Sequence, residues 1–68
     1  MDTYYTKRVT SGTWSGWALV RRGDPQVVTL AATRDDIEKL SRRHVKAARG
    51  YLKLRDSRGR YYDNVDYR

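Results

Sequence analysis

Nine cationic side chains lie between positions 39 and 60: Lys39, Arg42, Arg43, Lys46, Arg49, Lys53, Arg55, Arg58 and Arg60. One acid, Asp56, stands among them, so the segment carries +8. Residues 1–38 balance five bases (Lys7, Arg8, Arg21, Arg22, Arg34) against five acids (Asp2, Asp24, Asp35, Asp36, Glu38), and residues 61–68, with Asp63, Asp66 and Arg68, sum to −1. The whole formal net charge of +7 therefore arises in one stretch of the chain. Ammonium and guanidinium groups at such density neutralise phosphates and gain from counterion release. Three rings, Tyr51, Tyr61 and Tyr62, stand among or beside these cations, as side chains that stack on unpaired bases do. The same rings equally suit a small sheet that covers itself with amphipathic side chains and cation–π contacts.

Other chemistry finds few residues to work with. The chain has no Cys and a single His, which excludes a disulfide framework and a thiolate or multi-histidine metal site. Ser11, Ser15, Ser41 and Ser57 lack a His or carboxylate at a catalytic spacing, and Gly12, Gly16 and Gly23 form no phosphate-cradling motif. Asp35, Asp36 and Glu38 suit the positive end of a helix dipole. The expectation is a non-enzymatic chain with no cofactor and no metal, and 68 residues leave room for one small domain.

The elements that must carry the cations follow from local pattern. Tyr4–Thr10 is rich in aromatic and β-branched residues and reads as a strand, Ser11–Thr13 as a turn, and Trp14–Arg22 as a second strand with Trp17 and Leu19 inward. Gly23-Asp24-Pro25 supplies a reversal into a third strand, Gln26–Ala31. Thr33 is an N-cap with Asp36 at the acidic position of a capping-box-like pattern, and a helix is predicted from Arg34 to Arg49, stopped by Gly50. At 100° per residue Ile37, Leu40, His44, Ala47 and Ala48 share one arc, predicted to be buried, which makes His44 a packed residue. Lys39, Arg42, Lys46 and Arg49, spaced by three and four, form a cationic row along about 15 Å of the opposite face. Tyr51–Arg55 alternates strictly, with Leu52 and Leu54 inward and Tyr51, Lys53 and Arg55 outward. Asp56–Gly59 reads as a tight loop, Arg60–Tyr62 as a short last strand, and Asp63–Arg68 as a loose tail. The predicted fold is a single α+β domain, a small antiparallel sheet of order β-β-β-α-β-β with one helix on one face.

Gly16-Trp17-Ala18-Leu19-Val20, the Thr33-started helix and Arg55-Asp56-Ser57-Arg58-Gly59-Arg60-Tyr61 together resemble a family of small uncharacterised bacterial and phage domains. That family is built from a Gly-Trp-Ala-aliphatic hairpin, one helix and a closing hairpin. The resemblance covers most of the chain and implies the fold but no chemistry. Three strands followed by a helix are also similar in architecture to small sheet-reading DNA-binding domains such as the arm-binding domains of tyrosine recombinases, which insert strands into the major groove.

The functional expectation is a basic module that binds nucleic acid, DNA or RNA, chiefly through phosphate contacts. Its contact residues would be Lys39, Arg42, Arg43, Lys46, Arg49, Lys53, Arg55, Arg58 and Arg60, with Tyr51 and Tyr61. The alternative is a phage or mobile-element accessory module that docks on an acidic protein, or pairs as a homodimer through a sheet edge, anchored by Trp14, Tyr4 or Tyr5. A membrane-surface role is disfavoured, because the apolar arc of the helix is small and needed for the core. No apolar run is long enough to span a bilayer, and Met1-Asp2-Thr3-Tyr4 lacks the regions of a signal peptide, so a cytoplasmic location is expected.

Overall fold

A computed structural model describes residues 2–56 and 58–68. The chain folds as β1 (Thr3–Ser11), β2 (Trp14–Arg21), β3 (Val27–Ala31), α1 (Arg34–Ala48), β4 (Tyr51–Arg55) and β5 (Tyr61–Asp66). This is the predicted α+β order, a five-stranded sheet with the helix packed on one face. The sheet differs from expectation in being mixed rather than antiparallel. Its strand order is β3-β2-β1-β4-β5, and β1 and β4 run parallel, with Thr3 beside Tyr51, Tyr4 beside Leu52 and Tyr5 beside Lys53. The reason is topological: α1 leaves the β3 edge, crosses behind β2 and β1, and returns the chain to the free side of β1 in the same direction.

Strand alternation sorts the side chains. Tyr4, Trp17, Leu19, Leu52 and Leu54 join Ile37 and Val45 of the helix in one buried cluster, with Val28, Ala31, Val65 and Tyr67 packed around it. Trp17 and Leu19 point inward as predicted. Their neighbours Ala18 and Val20 are also buried, although no helix covers their side of the sheet. Ala18 lies between Lys7 and Leu30 in the ladders, and Val20 between Tyr5 and Val27, so longer side chains on adjacent strands shield them. On this uncovered face the ring of Trp14 folds over Gly16, where a Cβ would run into the ring and the Ala31 carbonyl.

The helix begins as its sequence dictates. Thr33 Oγ1 accepts from the Asp36 N–H at 3.1 Å, and Asp35 and Asp36 occupy the first turn. Its end differs by one residue: Arg49, not Gly50, takes the left-handed conformation (φ 55°, ψ 42°), and the helix stops at Ala48. Gly50 is required for close approach instead. A Cβ there would stand 2.9 Å from the Asp2 carbonyl oxygen and 2.9 Å from the Tyr4 ring. Around it the Tyr51 N–H donates to Asp2 O (2.9 Å) and the Tyr67 N–H to Gly50 O (3.0 Å), tying the start of β1 to the end of β5.

Two expectations about packing are corrected. The stripe that faces the sheet is Ile37, Ser41 and Val45, whereas Leu40, His44, Ala47 and Ala48 are exposed. His44 touches the core only through an edge-on contact with Tyr4 (ring centroids 5.5 Å apart). Residues 63–66, read as part of a loose tail, continue β5, because Val65 pairs with Leu52 and packs against the core while Asn64 and Asp66 pair with Lys53 and Tyr51.

Candidate nucleic-acid interface

Because Leu52 and Leu54 are drawn under the helix, Tyr51, Lys53 and Arg55 emerge on the uncovered face of the sheet. Pairing sets Tyr5 of β1 beside Lys53 and Tyr61 of β5 beside Arg55. The Arg55 backbone is held where the parallel ladder ends: its N–H donates to the buried Thr6 Oγ1 at 3.1 Å. Its guanidinium then lies 4.5 Å from the centre of the Tyr61 ring and 5.9 Å from that of Tyr5, and donates to the Tyr61 hydroxyl at 2.8 Å. Lys53 Nζ lies 5.6 Å from the same Tyr61 ring. A ladder of rings and cations thus runs across β1, β4 and β5, with Lys7 two residues along from Tyr5 on the same side.

The loop after β4 extends this surface. The Asp56 carboxylate accepts from the Arg58 N–H (2.9 Å) and the Arg60 N–H (3.0 Å), while the Asp56 N–H donates to Arg60 O (2.8 Å) and the Gly59 N–H to Asp56 O (3.0 Å). These bonds, that from Arg60 foremost, hold the Asp56 carboxyl below its ordinary value. The one acid of the basic segment therefore binds its own backbone, and Arg58 and Arg60 extend into solvent. The loop position 57 lies outside the described residues.

The cations of α1 go elsewhere. Lys39, Arg43 and Lys46 are exposed on the helix, on the side of the molecule opposite Lys53 and Arg55, and Arg49 is exposed at the helix end. Arg42 leaves the predicted row: half-buried, it reaches Glu38 at 3.0 Å and Asp63 of β5 at 3.5 Å. Burial pushes the Glu38 carboxyl up, but hydrogen bonds from Tyr62 (2.7 Å) and Arg42, with the charges of Arg42 and Arg34, outweigh it and hold Glu38 below its ordinary value. So the segment from 39 to 60 forms two surfaces, not one patch, and Arg42 serves the seam between them. Among the described residues, its eight other cations have no carboxylate within 4.0 Å.

Tyr5, expected only as a protein-docking anchor, and Lys7, expected on no binding surface, lie on the same face as Lys53 and Arg55. Their signal is the alternation of Tyr5, Lys7 and Val9 against Tyr4, Thr6 and Arg8, and it acquires meaning only once β1 is known to neighbour β4. Tyr4, offered with Tyr5 and Trp14 as a docking anchor, is buried in the core instead, at 5% exposure. Among the described residues no three His, Cys, Asp or Glu side chains gather as a metal site requires, and no helix is long and apolar enough to cross a membrane. No protein-family model, curated protein or solved structure matches this chain.

Proposed function

We propose that the chain is a non-enzymatic module that binds single-stranded nucleic acid on the uncovered face of β1, β4 and β5. The observation that carries this reading is the ladder of Tyr5, Lys53, Arg55 and Tyr61, in which rings and cations share one open surface and, among the described residues, no carboxylate lies within 4.0 Å of either cation. Bases stack on Tyr61 and Tyr5, while Lys7, Lys53, Arg55, Arg58 and Arg60 neutralise the backbone; every base has a π-face, so the mode tolerates sequence. The helix cations Lys39, Arg43 and Lys46 add long-range attraction from the far side but touch no nucleotide.

The test is fluorescence anisotropy with a labelled oligothymidine across a salt series. With about five phosphates neutralised, log K against log salt falls with a slope near −3.5 for a single strand. Exchanging Lys53→Glu weakens binding by roughly a hundredfold, and Tyr61→Ala by about tenfold through lost stacking. Lys39→Glu changes it by about threefold or less, as expected of a remote charge. A flat salt response, or absence of binding at about 20 mM salt, refutes the proposal. Greater sensitivity to Lys39→Glu than to Lys53→Glu moves the interface to the helix.

A further inference from the structure

We infer that the outer edge of β3, with the groove between β3 and α1, is a docking surface for an extended apolar peptide that carries acidic residues at one end. The surface shares no residue with those proposed above to touch a nucleotide, since Lys39 and Arg43 serve there only as remote charges.

β3 pairs with β2 on one side only, so the other side of Val27–Ala31 offers a row of N–H and C=O groups to an incoming strand. Sheet edges are normally guarded by charge, Pro or bulges that face the intruder. The opposite edge, β5, carries Asp63 and Asp66, whereas Val-Val-Thr-Leu-Ala of β3 carries no charge, and its irregularity at Val28 leaves Thr29–Ala31 as the regular stretch open to pairing. Two of the six exposed large hydrophobic residues border the gap between β3 and α1, Leu30 (52%) and Leu40 (38%), whereas Val27 (44%) faces the uncovered side beside Val20.

Two adjoining hollows of ≈ 440 and ≈ 430 Å³ share Leu40 and Arg43, the first reaching Val28, His44 and Ala47 and the second Ala31, Asp36 and Lys39. A strand added to β3 would direct alternate side chains into these hollows, which are apolar at their base. Charge then selects the occupant. Among the described residues, Arg43 and Lys39 line the groove with no carboxylate within 4.0 Å, so they complement an acidic ligand. Pairing two copies through this edge would bring two such cationic walls together on chains of +7 each, which disfavours self-association. Asp36 shares the second hollow with Lys39 while Arg43 borders both, so the acidic residues of the peptide lie over the first hollow, beside Arg43 and His44 and away from Asp36.

The experiment is selection of a random peptide display library of about ten residues on the immobilised full chain at physiological salt, followed by anisotropy with a synthetic copy of the enriched peptide. The expected peptides alternate β-branched or aliphatic residues and carry Asp or Glu at one end. Amide resonances of residues 27–31 and 40–47 shift on binding. Leu40→Glu and Arg43→Glu, both at exposed positions that leave the fold intact, each weaken the peptide roughly tenfold or more. Lys53→Glu leaves it unchanged within about twofold. The inference is overturned if no peptide is enriched, if the enriched peptides lack acidic residues, or if their affinity survives Leu40→Glu. Sedimentation of the free chain as a dimer that Leu40→Glu dissociates would likewise overturn it, by showing a second copy in the groove.

Discussion

The two flanks of α1 solve the same problem in opposite ways. Toward β5 the helix is closed by directed polar contacts: Tyr62 donates to one Glu38 oxygen, Arg42 to the other, Arg42 reaches on to Asp63, and the Arg34 guanidinium lies 5.6 Å from the Tyr62 ring. Toward β3, among the described residues, no side-chain hydrogen bond crosses, and Leu40, His44 and Ala47 border an open groove instead. Hydrogen bonds and ion pairs have preferred geometry, whereas apolar burial is non-directional and is lost only in proportion to area. The helix has therefore rolled toward the flank with directed contacts, by roughly 70° from its apolar arc at 100° per residue. Ser41, small enough for close approach, ends up fully buried at the centre, and a leucine is left half in water.

Truncating one residue of the buried stripe and one of the open flank separates the two sides of the helix by the largest difference in stability. Ile37→Ala, at a site 1% exposed, is expected to cost about 2–4 kcal/mol. Leu40→Ala, at 38% exposure, is expected to cost about 1 kcal/mol or less. A domain of this length holds only about 3–10 kcal/mol in all, so Ile37→Ala takes a large share of its stability. Urea titration monitored by tryptophan fluorescence measures both. Equal costs would mean that the helix faces the sheet with its sequence-defined apolar arc after all.

A second, smaller contrast sets adjacent arginines against each other. Arg42→Ala removes the link from α1 to both Glu38 and Asp63 and is expected to cost about 1 kcal/mol, the range of a partly exposed charge network. Arg43→Ala, one residue on and without a carboxylate partner, is expected to stay within about 0.5 kcal/mol. Because solvent-exposed pairs are screened, the Arg42 penalty shrinks at molar salt, while that of Ile37→Ala does not. If both arginine variants behave alike, the seam toward β5 contributes nothing to holding the helix.

Much of this arrangement was legible in local pattern, because capping, turn formation and period-two alternation act within a few residues. Thr33 with Asp36, and the alternation from Tyr51 to Arg55, place the helix start and β4 without knowledge of any distant partner. What local pattern cannot carry is which strands become neighbours. The parallel pairing of β1 with β4 depends on the crossover of α1, and with it goes the recognition that Tyr5 shares a face with Lys53 and Arg55. The same blindness hid the role of Arg42, whose spacing from Lys39 and Lys46 suggests a cationic row while its orientation is set by Asp63, 21 positions away. Asp63, Asn64 and Asp66 have low strand propensity, and β5 persists through them because β4 supplies the partner and Val65 the buried contact.

The smallest effect tests the closed flank through its protons. Burial, followed by the hydrogen bond to Glu38 and the repulsion of its charge, pushes the Tyr62 hydroxyl up to about 12, with Arg34 and Arg42 opposing. A raised value means that the folded chain holds this proton after the unfolded chain has released it. Tyr62 therefore contributes its stability below its ordinary value of 10.0, and the contribution fades as the pH rises from there toward about 12. Glu38, held low, contributes above its ordinary 4.5 and loses that contribution as the pH falls through its folded value. In a tyrosinate absorbance titration of the folded chain, the late step near 12 should vanish in Tyr62→Phe. In Glu38→Gln it should move down, because the carboxylate charge that resists ionisation of the hydroxyl is gone. Substitutions on the open flank, such as Leu40→Ala, should leave the step where it is. A late step that ignores Glu38 but follows Leu40 would reverse the assignment of the two flanks.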